Sequence, residues 1–432
     1  MILNNKLRVI LGVLLLLGGQ TVWADKKIEA EWVETLLDSM ETLRNYSRMV
    51  VYDDSIKQIS IRADSLHVRL QSEFYAFIGA VAYRDSLRQV QADTLVYIHH
   101  EGRAEFRGRV FLQDQNRKLW GQWVDYDTRQ GLLIAKNQLH FENPSLQHIL
   151  TGNRLFYDLK GDSGWAIDNP RFALANATQD TFNGQADSIY FSGRVSQSVL
   201  LGNAQIHQGH MIAWAGRVEY TDSLVILDQT PHISYLVNGN RDSIFGKANR
   251  IFFKLENRRI QSIHFEDQAE IHMVVADSQK TRRRIWANKA SVQLTENAIA
   301  SLEATGQVCV FMTDTSANEM DLKGQKLELA FIEGKPDSLI LSENTESVYI
   351  SENNKTKSLI WGEIQALWFE EQRLLKMIVE HQARCQNIPE QGEQVFISGD
   401  QVSLVFDQGQ VKHIQSHGGV RGAYHYSGEK KE

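Results

Sequence analysis

The sequence predicts an all-β chain, an elongated V-shaped β-jellyroll: a solenoid-like meander of antiparallel bent strands, preceded by one N-terminal amphipathic helix. Three observations carry this expectation. Two short blocks alternate along most of the chain, each block alternates apolar and polar residues with period two, and turn signals separate the blocks. Period-two alternation over four or five residues puts one set of side chains on one face of a strand, which no helix does. Proline, which cannot donate to a ladder, occurs only five times in 432 residues.

The first block is a small residue, a polar residue, a variable one, an aliphatic one, a variable one, then an aromatic or aliphatic one. It reads Ala63-Asp64-Ser65-Leu66-His67-Val68, then Ala92-Asp93-Thr94-Leu95-Val96-Tyr97, then Gly121-Gln122-Trp123-Val124-Asp125-Tyr126. Further copies begin at Gly152, Ala186, Ala215, Ala248, Ala287, Gly324, Gly362 and Gly399, so about eleven repeats follow one another. The spacing lengthens towards the C-terminus, as growing loops would produce without any change in the unit. Parity inside the block sends Leu66, then Leu95 with Tyr97, Val124 with Tyr126, Leu155 with Tyr157, and Val218 with Tyr220 to a common side.

The second block is a glycine or polar residue, one further position, then alternating apolar residues. Its inward set comprises Val81 and Tyr83, Val110 and Leu112, Leu139 and Phe141, Ile206, Ile271, Val308 and Val310, and Ile350. Polar residues such as His140, Gln205 and Glu270 take the opposite parity. Just upstream, apolar residues fall three apart at Ile260 and Ile263, Ile299 and Leu302, Leu374 and Met377, and Val411 and Ile414. Residues three apart on a straight strand face opposite ways, so a bend or bulge is expected near the glycine or asparagine. Turns are marked by Glu101-Gly102, Asp114-Gln115-Asn116, Glu142-Asn143-Pro144, Lys160-Gly161-Asp162-Ser163-Gly164, Asn238-Gly239-Asn240 and Gly334-Lys335-Pro336-Asp337.

The ends read differently. Lys6 and Arg8, an apolar stretch from Val9 to Leu17 and the small residue Ala24 form the pattern of a signal peptide over residues 1–24. Residues 25–48 are expected to be a helical cap, because Ile28, Trp32, Leu36, Met40 and Leu43 fall four or three apart. Residues 49–425 hold the repeats, read as one stretch or as two consecutive units, and 426–432 form a polar tail. Removing residues 1–24 takes away Lys6 and Arg8 and no acidic residue, leaving 44 basic against 53 acidic residues. That balance argues against a nucleic-acid partner. Two cysteines, Cys309 and Cys385, two repeats apart, are expected to stay unbridged.

The alternating small-Asp-x-aliphatic-x-aromatic and Gly-x-Val units resemble the OstA-like (LptA) family over roughly residues 58–425. The family includes the periplasmic bridge protein of lipopolysaccharide transport and the N-terminal domain of the outer-membrane lipopolysaccharide assembly protein. The resemblance implies a periplasmic jellyroll, associated with outer-membrane assembly, whose apolar groove shelters lipid acyl chains. On that reading the inward rows from Leu66 to Ile350 touch lipid. The implied partners are lipopolysaccharide or a related glycolipid and other jellyroll proteins bound by end-to-end strand pairing, with only peripheral contact to membrane complexes. The chain departs from the family in length: it exceeds the bridge protein and lacks the large barrel of the assembly protein.

No catalytic residue, cofactor or metal set is assigned. The sequence has no nucleophile elbow, phosphate-binding loop or HExxH, and His99-His100 and His207-Gln208-Gly209-His210 lack the Cys or Glu partners of a zinc site. Asp64, Asp93 and Asp187 form a row that could serve a sugar-cleaving solenoid. Gln122, Asn153 and Asn249 replace them in sister repeats, so turn shaping is the expected role. The run Lys280-Thr281-Arg282-Arg283-Arg284 reads as a solvated loop tip. Two rival functions stand beside the conduit: a structural or adhesive solenoid with a filled interior, and a carbohydrate-active solenoid enzyme.

Overall fold

A computed structural model describes residues 26–425 apart from stretches at 30–31, 37–39, 54–55, 70–73, 115–116, 144–147, 175–181, 238–241, 276–281, 296–297, 315–316, 333–334, 353–354, 371–372, 390–393 and 408–409. Before residue 59 it describes the backbone alone. The expected signal peptide, the polar tail and the Asn238-Gly239-Asn240 turn lie outside the described residues. Everything described is strand or connection, paired antiparallel from one hairpin to the next. No described helix is long and apolar enough to cross a membrane. The chain divides into two compact units, residues 1–201 and 202–432.

The corner that makes each strand serve two sheets comes from a pair of consecutive residues with positive φ. Gly79 and Ala80, Gly108 and Arg109, Asn137 and Gln138, Asp267 and Gln268, Gly306 and Gln307, and His381 and Gln382 are such pairs. In the pairing of Phe74–Arg84 with Arg88–Ile98, Ile78 faces Thr94 and Val81 faces Ala92. Gly79 and Ala80 together therefore oppose the single residue Asp93. A two-against-one bulge bends a strand sharply. Its repetition divides each unit into limb A, which holds Val110–Asp114 and Lys118–Gly121, and limb B, which holds Arg103–Arg107 and Trp123–Asp127.

The second residue of the first block packs into this corner. A side chain at Gly79 or Gly108 would run into the carboxylate of Asp64 or Asp93 respectively, so these two corners need glycine for space as well as for φ. Asp93 also accepts hydrogen bonds from Arg109 at 3.0 and 2.7 Å, and this guanidinium holds its carboxyl below the usual carboxylate range.

Three sequence expectations need correction. The residues spaced three apart do not mark the corner. They flank a second bulge near the hairpin tips of limb B: Leu294 pairs with Ile299 and Gln293 with Ser301, leaving Ala300 unpaired. Phe369 likewise pairs with Leu374 and Trp368 with Lys376. The expected helix at 25–48 is instead backbone strand at Lys26–Glu29, Trp32–Leu36 and Met40–Asp53. Ile28, Trp32, Leu36 and Met40 stand four apart, a spacing that suits one helix face and also one strand face, so the pattern could not separate them. Finally, Ile350 is not an inward residue. The corner pair of that strand is Glu343 and Asn344, which turns Thr345, Ser347 and Tyr349 inward and leaves Ile350 half-buried on the other face.

Candidate functional site

The interior between the limbs is built from the rows the repeats supply. Apart from Ile350, every residue assigned inward lies inside, from Leu66, Val81, Tyr83, Leu95, Tyr97, Val110, Leu112, Val124, Tyr126, Leu139, Phe141, Leu155 and Tyr157 in the first unit to Ile206, Val218, Tyr220, Ile271, Val308 and Val310 in the second. None is more than 4% exposed. Each such side chain contributes about 1.5–3 kcal/mol by leaving water. His140, Gln205 and Glu270 are half-buried on the solvent side.

The limbs meet. Tyr83 of limb A lies edge-on to Phe106 of limb B with ring centroids 5.5 Å apart, and Phe141 of limb A lies 5.0 Å from Tyr157 of limb B. In the second unit Tyr349 and Phe406 make the same crossing at 5.0 Å. Between Phe141, Leu150, Phe172, Ile189 and Phe191 the first unit leaves a cavity of only about 10 Å³, roughly one water.

At the mouth of the first unit, where the hairpin tips of the limbs approach, a polar clasp crosses from A to B. Arg117 Nη1 donates to Tyr157 Oη at 2.8 Å, to the Leu159 carbonyl at 3.3 Å and to Asp162 Oδ1 at 3.1 Å. Its other terminal nitrogen pairs with Asp114, and Asn143 Nδ2 donates to Asp162 at 3.2 Å. Arg88 stands 3.8 Å from Asp114 and 4.9 Å from the centre of the Tyr126 ring. Burial, with the Asp162 acceptor second, pushes the Tyr157 hydroxyl well above its ordinary value, so it remains a donor. Sequence reasoning placed Asp114, Asn143 and Asp162 in turns and missed their union, because the partners lie 19 to 45 residues apart.

The second unit differs in what fills it. Met211, Met273, Met312, Met320 and Met377 are buried there among aliphatic residues, and Gln208 Nε2 donates across the mouth to the Arg258 carbonyl at 2.6 Å. Around its corners a solvent-facing recess of about 770 Å³ is lined by His232, Lys247, Glu270, Trp286, Asn288 and Gln307. It contains the ion pair of Lys247 with Glu270 at 2.7 Å beside the partly exposed ring of Trp286. Among the described residues no three His, Cys, Asp or Glu are grouped to hold a metal. Cys309 and Cys385 are both free.

No family model matches the chain, and no curated protein matches it. Among solved structures it is similar to the crystal structure of LptH, the LptA homologous periplasmic component of the conserved lipopolysaccharide transport device from Pseudomonas aeruginosa. The two share 13% identity over 29% of this chain and 82% of that one, with a TM-score of 0.25.

Proposed function

We propose that the protein is a periplasmic lipid carrier that holds the acyl chains of lipopolysaccharide or a related glycolipid between its two limbs and bridges to other jellyroll proteins at its ends. The observation that carries the reading is the apolar interior repeated rung after rung through both units. Each exposed methylene costs about 0.8 kcal/mol, so a multi-acyl lipid moving along equivalent rungs keeps nearly constant burial. The OstA-like pattern of the repeats supports the choice of lipid. For bridging, the support lies at the C-terminal end. Gln410–His417 and Arg421–His425 each pair with Gln394–Asp407, and among the described residues no further strand covers them. Inward Val395, Ile397, Val411 and Ile414 are only half-buried there, as expected of rungs that another sheet would continue.

The test is lipid analysis of full-length protein extracted from its native host. A stoichiometric multi-acyl glycolipid is the expected finding, and protein free of lipid would reject the carrier. One observation favours a second reading, the structural solenoid: the first unit is closely packed between Phe141 and Phe191 and clasped at its mouth. For the carrier, acyl chains must part the limbs, and the methionine-lined second unit offers the softer path.

A further inference from the structure

In one repeat of the second unit the apolar interior carries a polar pair. At the first inward position after the corner, sister repeats carry Leu66, Leu95, Val124, Leu155, Ile251 and Leu327, and the strand Lys357–Glu370 carries Gln365. On the facing limb, where other repeats carry Leu112, Phe141, Ile206, Ile271 and Val310, the strand Lys335–Ile350 carries Ser347. Both are inside: Gln365 is 0% and Ser347 1% exposed. They share a locality, because Ser347 is the cross-strand partner of Ile360, and Gln365 Nε2 donates to the Ile360 carbonyl at 3.3 Å. That bond fixes the amide orientation and points Oε1 away from the carbonyl. Gln365 Oε1 and Ser347 Oγ are both buried without a hydrogen-bond partner in the protein.

A buried polar atom left unpaired is destabilising, and Val at 347 or Leu at 365 would remove the penalty, as the sister repeats do. The two oxygens are complementary to one chemical group. Gln365 Oε1 accepts only, Ser347 Oγ–H can donate, and a hydroxyl both donates and accepts. We propose that Gln365 and Ser347 form a subsite for a hydroxyl carried on an acyl chain, giving the interior a preferred stopping register for hydroxylated lipid. This rests on the reading of the interior as an acyl site.

The experiment compares calorimetric binding of tetradecanoic acid with its 3-hydroxy and 12-hydroxy derivatives to the full chain. The expected result is that one hydroxylated acid binds about tenfold tighter than the plain acid. Gln365→Leu and Ser347→Val should each abolish that preference while leaving plain-acid affinity equal or improved, and because both restore the residue type of sister repeats they should fold. Equal affinity for all three acids in the parent protein overturns the subsite and leaves the acyl site standing. So does a preference that survives both substitutions, which would mean that the hydroxyl is recognised elsewhere in the interior. Binding of none of the acids overturns the acyl site together with its subsite.

Discussion

The two units use the same corner and the same parity but fill their interiors differently. In the first, Tyr75, Phe77, Tyr83, Tyr97, Phe106, Tyr126, Phe141, Tyr157, Phe172 and Phe191 interlock, and charged groups tie the limbs at the mouth. In the second, the interior is mainly aliphatic, holds every buried methionine described, and includes one polar notch. Aromatic rings in edge and offset contact fix one geometry, whereas unbranched thioethers adapt to altered volumes. A repeat can thus keep its backbone rule while one stretch becomes a rigid segment and another a deformable one.

The largest effect should come from removing a ring in the first unit. Phe106→Ala, at a fully buried position against Tyr83, should lower stability by about 3–5 kcal/mol, read by urea denaturation. Met320→Leu in the second unit should cost less than about 1.5 kcal/mol. Equal losses would erase the contrast between rigid and deformable interiors.

Next is the clasp. Arg117→Ala leaves Asp162 and the Tyr157 hydroxyl without their shared donor and should cost about 2–3 kcal/mol. Arg117→Lys should recover only part of this, since a single ammonium cannot reproduce the planar fork. Amide hydrogen exchange should show the loss in the tips around residues 117–119 and 157–162 and not in the second unit. A uniform loss through both units would mean that the clasp is not a local tie.

The smallest effect concerns the two thiols. Cys309 is half-buried on the solvent side, while Cys385 lies inside with its thiol pushed up to about 12 by burial. At pH 8 the Cys385 thiolate is on the order of one part in 10,000, so an alkylating reagent should modify Cys309 at least about a hundredfold faster. Comparable rates in folded protein would show the second unit opening far more readily than its burial implies.

Much of the fold is legible in the sequence. Parity survives any backbone detail between corners, so Leu139, Ile206 and Ile271 could be placed inside from alternation alone, opposite His140, Gln205 and Glu270. Parity misleads where the inward residues are the polar ones. After the Glu343-Asn344 corner Thr345 and Ser347 face inward while the apolar Val348 and Ile350 take the other face, so alternation alone put Ile350 on the wrong side. The clasp was invisible because each member resembles an ordinary turn residue, and only the folding of limb B onto limb A brings Arg117 to Asp162. Gln365 and Ser347 could have been noticed as breaks in the apolar rows. Their missing partners could be seen only in three dimensions.

Acyl chains lying between the limbs would be reported most directly by the adjacent pair Ile271 and Glu270. Ile271 is wholly buried and Glu270 faces solvent in the same strand, so a photo-crosslinking amino acid at each samples the two faces at one level of the fold. In living cells the probe at Ile271 should capture lipopolysaccharide and the probe at Glu270 should not. Equal capture from both positions, or none from Ile271 in protein that remains folded, would contradict the carrier and leave a structural solenoid.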